Sequence, residues 1–417
     1  MKEKLRVLSL FSGIGSPEKA LERLGIDYEL INYCEIDKYA SKSYSIIHNV
    51  SEELNLGDIT KIDIDKLKDF DLITHGSPCQ DFSMAGKGKG GDEGSETRSS
   101  LMWNTVEIIK IKRPKYVIWE NVKGVLTKKH IHNFEKYINL LNELGYTSYY
   151  KVLNAKDYGI PQHRERIFVV SILGEHNQFE FPSKIKLEKR LRDLLEDKVE
   201  EKYYLKDTKD FFNMEAKGNG FRFSPHVKKN ANISCCDTTR AGSRMDDNYI
   251  LDIDSNKEKF EFSVKNEEID LNRLGGVFDT DKAKRQAGAV WDKDGLCPTL
   301  DTMQGGWRQP LVVEEIKIER VGMLEREGWY DIEKRVHSTN GLAPTVECKN
   351  RAKYIDDMRI RKLTPKECWR LMGFDDLDVD KCISAKLSNT QLYKQAGNSI
   401  VVNVMEEIFK NLLKEYI

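Results

Sequence analysis

Four short stretches carry side chains suited to chemistry. Cys79 follows Gly-Ser-Pro in "GSPCQDFS", directly after the apolar run "DLITHG". A thiol on a proline-fixed turn at a strand end is a candidate nucleophile; the plainer reading is a buried cysteine acting as a small hydrophobe. Glu120 closes the apolar run "YVIWEN". A carboxyl there can protonate or hydrogen-bond a substrate, where otherwise it would be a capping or solvated carboxylate. Arg164 and Arg166, in "PQHRERIF", come just before a further strand. Alternate residues share a face, so both guanidiniums are expected to enter one crevice, where they suit phosphate or a ring carbonyl. Gly13 and Gly15, in "LSLFSGIGSPEKAL", lie between the first strand and the first helix. Ligand crevices of open α/β sheets form at that edge, and glycines let a cofactor approach the backbone.

The glycine spacing is G-x-G, with Glu18 where a dinucleotide fingerprint has no acid and with no third glycine. A glutamate near the helix start would repel a pyrophosphate, so a cationic or zwitterionic nucleoside fits better. Glu35, just past the second strand, is placed to accept from ribose hydroxyls, and Asp58 in "LGDIT" is a plausible third contact. Any one of these residues has an ordinary structural explanation; their order along the chain is the stronger signal.

These residues need a frame. "LRVLSLF", "YELINYCEI", "DLITHG", "KYVIWEN", "TSYYKVLN" and "RIFVVSIL" read as strands. Between them, "SPEKALERLG" reads as a helix with Ser16 as cap and Gly25 as stop, followed by "DKYASKSYSIIH", "SLMWNTVEIIKIKRP" closed by Pro114, and "HNFEKYINLLNELGY". Strands alternating with helices of ten or more residues predict α/β architecture, a doubly wound, mostly parallel sheet. After about Gly174 the chain turns lysine- and acid-rich with short β-like pieces, which predicts a catalytic domain over 1–174 and a smaller irregular, β-rich domain over 175–358. Within the latter, "ISCCDTTRAGSRMDDNYI", "GLCPTLDTMQGGWRQPLVV" and "GLAPTVECKNRAKYI" share a form, which β-hairpins of similar turn chemistry explain as well as duplication does. Order returns over 359–417. "LTPKECWRLMGF" carries a capping box on Thr364 and Glu367, and "QAGNSIVVNVMEEIFKNLLKEYI" reads as a turn feeding an apolar-faced helix (about 398–417) that packs back on the N-terminal sheet.

The whole chain has 417 residues, 39% hydrophobic and 32% charged, enough for a sizeable core. Its net charge of -1 gives no global basic signature, which counts only weakly against nucleic-acid binding because local patches decide it. No stretch is a secretory signal or approaches the ~20 apolar residues of a membrane span. The eight cysteines are scattered without a CxxC pair, so neither a metal site nor a disulfide framework is indicated, and a reducing, cytoplasmic setting is expected.

In this order, "FSGIG", "GSPCQDFS", "ENVKG", "QHRERIF", "RKLTPKECWRLMGF" and "QAGNSIVVNV" resemble the sequence blocks of the cytosine-5 DNA methyltransferases, a bacterial and phage modification-type family. The resemblance covers residues 5–174 and 359–417, with His163 a minor departure between functional positions. It implies a Rossmann-like methyltransferase fold with S-adenosyl-L-methionine as cofactor. Phe11, Gly13 and Gly15 would line that cofactor. Glu35 would bind its ribose, Ile36 would pack on its adenine, Asp58 and Ile59 would meet the adenine, Leu101 would add an apolar contact, and Asn398 and Ser399 would close the pocket. Cys79 would be the nucleophile, Glu120 the acid on the base, and Arg164 and Arg166 would hold the flipped nucleotide. Gln80 and Ser83 would begin a mobile, glycine-rich loop from Asp81 to about Ser99, with Lys87 and Lys89 on phosphate. Residues 175–358 become the target-recognition region, where Arg240, Arg244, Gln304 and Arg308 suit base edges.

The implied partner is double-stranded DNA, bound by a monomer near the nucleoid, with a cognate restriction endonuclease acting separately left open. Three other readings compete. A tRNA cytosine-5 methyltransferase is disfavoured by the large variable region, a non-catalytic DNA-binding paralogue by the intact Cys79, Glu120, Arg164 and Arg166, and a nicotinamide-dependent enzyme by the glycine spacing and Glu18.

Overall fold

The computed structural model describes residues 3–78, 92–95, 97–203 and 363–417, and the backbone of short strands between 273 and 362. Cys79, Gln80, Ser83, Lys87, Lys89, Arg240, Arg244, Gln304 and Arg308 lie outside the described residues.

A six-stranded sheet organises the described body. Its strands are β1 (Leu5–Leu10), β2 (Tyr28–Cys34), β3 (Leu72–His75), β4 (Tyr116–Val122), β5 (Tyr146–Asn154) and β7 (Glu165–Leu173), with the two-residue β6 (Gln162–His163) outside it. The spatial order is β2-β1-β3-β4-β7-β5. β1 pairs in parallel with β2 and β3, and β3 with β4, while β7 runs antiparallel to both its neighbours. The expected mostly parallel, doubly wound sheet is therefore present.

The strands are apolar on both faces because both faces are covered. Leu5 and Val7 of β1, Ile118 of β4 and Val170 of β7 pack with α1 (Ser16–Arg23) and, through Ile47, α2 (Lys38–His48). Leu8, Leu10, Trp119 and Val169 face the other layer, α3 (Met102–Lys112) and α4 (Ile131–Glu143). After the variable region come α5 (Pro365–Leu371), α6 (Asp376–Ser384), α7 (Asn389–Asn398) and α8 (Val402–Leu412). Met405, Ile408 and Phe409 of α8 are fully buried in the core that α1 shares, so the last helix does return to the N-terminal sheet.

Helix ends follow local chemistry in part. The capping box of α5 is present: Glu367 N–H donates to Thr364 Oγ1 at 3.2 Å, and Thr364 N–H to Glu367 Oε2 at 2.8 Å. At α1, Gly15 rather than Ser16 holds the cap position, in a left-handed conformation with φ of 79°, because the chain enters through the glycine loop. α3 stops at Arg113, one residue before Pro114, since a residue preceding proline avoids helical geometry. "QAGN" is no turn: it ends α7, a helix opened by the Ser388 side chain accepting from Gln391 N–H. Phe179, Leu191 and Leu194 join the core, so the chain stays on the sheet body past Gly174, where the domain boundary was expected.

In the variable region, β9 (Cys297–Pro298) pairs with β6, and β10 (Leu311–Glu315) pairs with β11 (Met358–Lys362) and β8 (Ala289–Trp291). The first links that region to the sheet body next to the "QHRER" stretch. Among the described residues no helix is long and apolar enough to cross a membrane, and no cluster of side chains could hold a metal ion.

Candidate active site

The glycine loop leaves β1 through three residues of positive φ, Phe11 at 53°, Gly13 at 57° and Gly15 at 79°. For a phenylalanine that backbone is strained, and such strain gathers where a loop has work to do. Gly13 N–H donates to Glu35 Oε2 at 2.9 Å, and Asp37 N–H to Glu35 Oε1 at 2.8 Å. The two amides fix the carboxylate, and each oxygen keeps a lone pair for a ligand hydroxyl. Burial pushes the Glu35 carboxyl up, and these amides pull it back in part. Beside it Ile36 is 76% exposed, a large apolar surface left for a flat partner. Asp58 caps its own turn, accepting from Thr60 N–H at 3.1 Å. The Ile59 side chain is buried in the core, leaving only main-chain atoms for a ligand, and Leu101 is half-buried against that same core. Phe11, Gly13, Gly76, Glu120, Asn398 and Ser399 line one open cleft.

Glu120 meets this cleft from β4. Arg166 Nε lies 3.2 Å from Glu120 Oε1, with the two side chains 15% and 13% exposed. Burial pushes the Glu120 carboxyl up, and Arg166 and then Arg164 only partly restore it, so the group is suited to carry and give a proton. The alternation that puts both arginines on one face does not send them to one partner. Arg164 is 4% exposed, and its Nη2 donates to the carbonyls of Gly397 at 3.0 Å and Ser399 at 2.8 Å. It fastens the C-terminal "GNS" to the sheet edge. Gln162 Nε2 likewise donates to Leu371 O at 2.8 Å, tying the same stretch to α5.

The root of the Cys79 loop is held by residues that sequence reasoning did not single out. Asn121, 1% exposed, donates from Nδ2 to Ser77 O at 3.2 Å and Ser77 Oγ at 3.3 Å, and Trp119 Nε1 donates to Ser77 Oγ at 3.1 Å. Ser99 Oγ donates to Pro78 O at 2.8 Å, which joins the two ends of the 79–98 segment. The signal was in "ENV": an asparagine inside an apolar strand must find a partner.

Glu18 is not where its sequence position suggests. It lies one turn before the buried Leu21, is itself 0% exposed, and faces Ser9 and Tyr44 rather than the helix mouth. Burial pushes its carboxyl up. The case against a pyrophosphate therefore rests on the missing third glycine alone.

The chain matches the family C-5 cytosine-specific DNA methylase over residues 5–414. It is 35% identical to the orphan methyltransferase M.SPBetaI of Bacillus phage SPbeta, with 99% of this chain and 98% of that one covered. It is 28% identical to the type II methyltransferase M.HhaI of Haemophilus parahaemolyticus, covering 98% and 94%. Among solved structures, the Entamoeba histolytica methyltransferase EhMeth superposes with a TM-score of 0.61 at 16% identity, and the S. pombe Dnmt2 methyltransferase with 0.59 at 17%, each covering 99% of both chains. At those identities the likeness speaks for the fold. The family match over nearly the whole chain and a full-length relative above 30% identity establish that this protein belongs to the C-5 cytosine-specific DNA methylases.

Proposed function

We propose that the protein transfers a methyl group from S-adenosylmethionine to C5 of a flipped-out cytosine in a specific duplex DNA site, through a covalent bond between Cys79 Sγ and C6. The observation that supports this most is the Glu120–Arg166 pair at 3.2 Å, facing the cleft that the glycine loop opens.

The residues present suit the cofactor. The amide-fixed Glu35 carboxylate matches two ribose hydroxyls, the exposed Ile36 matches an adenine face, Asn398 and Ser399 line the cleft, and Asp58, Ile59 and Leu101 would bound the remainder. When bound, S-adenosylmethionine supplies a methyl group on a sulfonium, and no pyrophosphate needs a third glycine.

Cytosine C5 is a weak nucleophile unaided. Addition of the Cys79 thiolate forms the S–C6 bond and moves the C5=C6 electron pair toward C5. Glu120, whose hold on a proton burial strengthens, gives a proton or a hydrogen bond to N3 and offsets the charge that develops in the ring. Arg166 orients Glu120, while Arg164 holds the wall formed by Gly397 to Ser399. Once C5 carries the methyl group, a base removes the C5 proton, the C5=C6 bond re-forms, and the S–C6 bond breaks to return the thiolate. The reacting atoms are covered in a stacked duplex, so the base must be flipped out. Asp81 to Ser99 would close as a lid, with Gln80 and Ser83 at its start and Lys87 and Lys89 on phosphate. We assign target recognition to residues 175–358, with Arg240, Arg244, Gln304 and Arg308 on base edges.

Cys79→Ser is the test. The variant should bind DNA and cofactor yet transfer no methyl group, and duplex containing 5-fluorocytosine should trap the wild-type protein covalently, because elimination then has no proton to remove. Full methylation by Cys79→Ser would sink the assignment, and a preference for tRNA over duplex DNA would move it to RNA.

A further inference from the structure

Beneath the glycine loop lies a group of titratable side chains that the transfer chemistry leaves unused. Glu18 and Glu22 belong to α1, Tyr28 to β2, and Tyr44 and His48 to α2. The His48 side chain is 0% exposed. Its Nδ1 lies 2.6 Å from Glu22 Oε1 and its Nε2 lies 3.1 Å from the carbonyl oxygen of Ile14. A peptide carbonyl can only accept, and so can an ionised carboxylate. Although burial pushes the Glu22 carboxyl up, its bond to His48, the His48 charge and Lys19 bring it below the usual range, which keeps it ionised. A neutral imidazole has one N–H and could serve only one of these acceptors. Two acceptors on two nitrogens call for the imidazolium, at the last turn of α2, where the helix dipole also favours a cation.

The ring also explains Gly15 a second time. It packs against Tyr44, centroids 4.7 Å apart, and a Cβ at Gly15 would sit 2.0 Å from His48 Nε2. Loop and imidazole occupy complementary space, and Ile14, whose carbonyl His48 holds, lies between Gly13 and Gly15.

We propose that His48 is a positioning residue of the cofactor loop: as a buried imidazolium bonded to the Ile14 carbonyl and to Glu22, it fixes the left-handed turns at Gly13 and Gly15, so that binding of S-adenosylmethionine is coupled to its protonation. This rests on the cofactor reading above. The groups around it favour the cation. Glu22 takes Nδ1 and also the Tyr28 hydroxyl at 3.4 Å, and the buried Glu18 carboxyl lies near enough to favour the charged ring. The nearby cations of α1 are committed to the start of α6, Lys19 to Asp378 at 2.9 Å and Arg23 to Asp375 at 2.8 Å. Burial alone would push the imidazole down; Glu22, Glu18 and the Ile14 carbonyl outweigh it and raise it above histidine's ordinary 6.5. A raised histidine contributes its ordering fully below its unfolded value and loses it as pH rises through the folded one. Cofactor affinity should therefore weaken on that alkaline side.

The test compares wild type with His48→Gln, which keeps an N–H for Ile14 but carries no charge. S-adenosylmethionine binding is titrated calorimetrically between about pH 6 and 9, the span over which a histidine can titrate. The variant should bind on the order of tenfold more weakly at the acidic end, the size of one lost charge-assisted hydrogen bond. It should lack the alkaline weakening of the wild type, and in turnover the loss should fall on the cofactor KM rather than on kcat. Nitrogen-15 NMR of the wild-type imidazole at neutral pH should show both nitrogens protonated, a reading that holds even if the variant does not fold. A neutral imidazole, or identical pH profiles for the two proteins, would overturn the proposal. Wild type that bound no S-adenosylmethionine at any pH would instead sink the cofactor reading.

Discussion

Replacing Arg166 by Gln should destabilise the protein by an amount that grows with pH. Glu120 and Arg166 are 13% and 15% exposed and 3.2 Å apart, so the guanidinium is the nearest charge that offsets a largely desolvated carboxylate. Breaking a buried pair costs ~3–5 kcal/mol as long as the remaining partner stays charged. Glu120 has a cheaper course, which is to take up a proton. Relative to the ordinary glutamate value of 4.5, holding that proton costs about 1.36 kcal/mol per pH unit, which comes to about 4 kcal/mol at pH 7.5 and about 1.4 kcal/mol at pH 5.5. Protonation therefore sets the ceiling at the lower pH, and the difference between the two conditions is at most about 2.7 kcal/mol. The sign is fixed by direction: burial has already raised Glu120 in the wild type, losing Arg166 raises it further, and a raised carboxyl gives up stability as pH climbs through its folded value. Urea unfolding of wild type, Arg166→Gln and Arg166→Gln/Glu120→Gln at the two pH values measures this. The single variant should lose more at the higher pH, and the double variant should show no such slope. A penalty that is equal at both pH values, or a slope that survives in the double variant, would refute the idea that Arg166 acts by compensating Glu120.

Three further variants test the frame around the site. Asn121→Ala removes the donor to Ser77 O and Oγ, and should cost about 2–3 kcal/mol in thermal unfolding. Because Ser77 roots the Cys79 loop, single-turnover methyl transfer should also slow, and an unchanged rate would show that the root does not position the thiol. Gly15→Ala meets a φ of 79° and His48 Nε2 at 2.0 Å, so cofactor affinity should fall by ~10-fold or more, as measured by calorimetry, on a strain of about 1–2 kcal/mol plus the clash. Thr364→Ala breaks the capping box of α5 and should lower stability by about 1 kcal/mol while methyl transfer proceeds at the wild-type rate.

What could be read from the sequence followed from signals that act over a few residues. The alternating strands and helices, the Thr364–Glu367 box and the return of the last helix to the sheet all rest on periodicity and capping, and these survive folding. The Phe11–Gly15 loop and Glu120 were legible because a strand's end fixes where its next residue emerges. The errors share one cause. Ser16, Glu18, Arg164 and the "QAGN" stretch each have a local interpretation that a distant partner overrides. The glycine loop takes the helix cap from Ser16, Ser9 and Tyr44 enclose Glu18, and the carbonyls of Gly397 and Ser399 take up Arg164 Nη2. Arg164 shows why alternation along a strand was insufficient. It restricts two side chains to one face, but a guanidinium reaches far enough that the nearest acceptor decides the rest, and that acceptor lies 233 residues away in the chain. The same long connection links the two regions of family resemblance, 5–174 and 359–417. Arg164 and Gln162 bind the later region directly, through Gly397, Ser399 and Leu371, so the cleft is complete only when the chain has returned from the variable region.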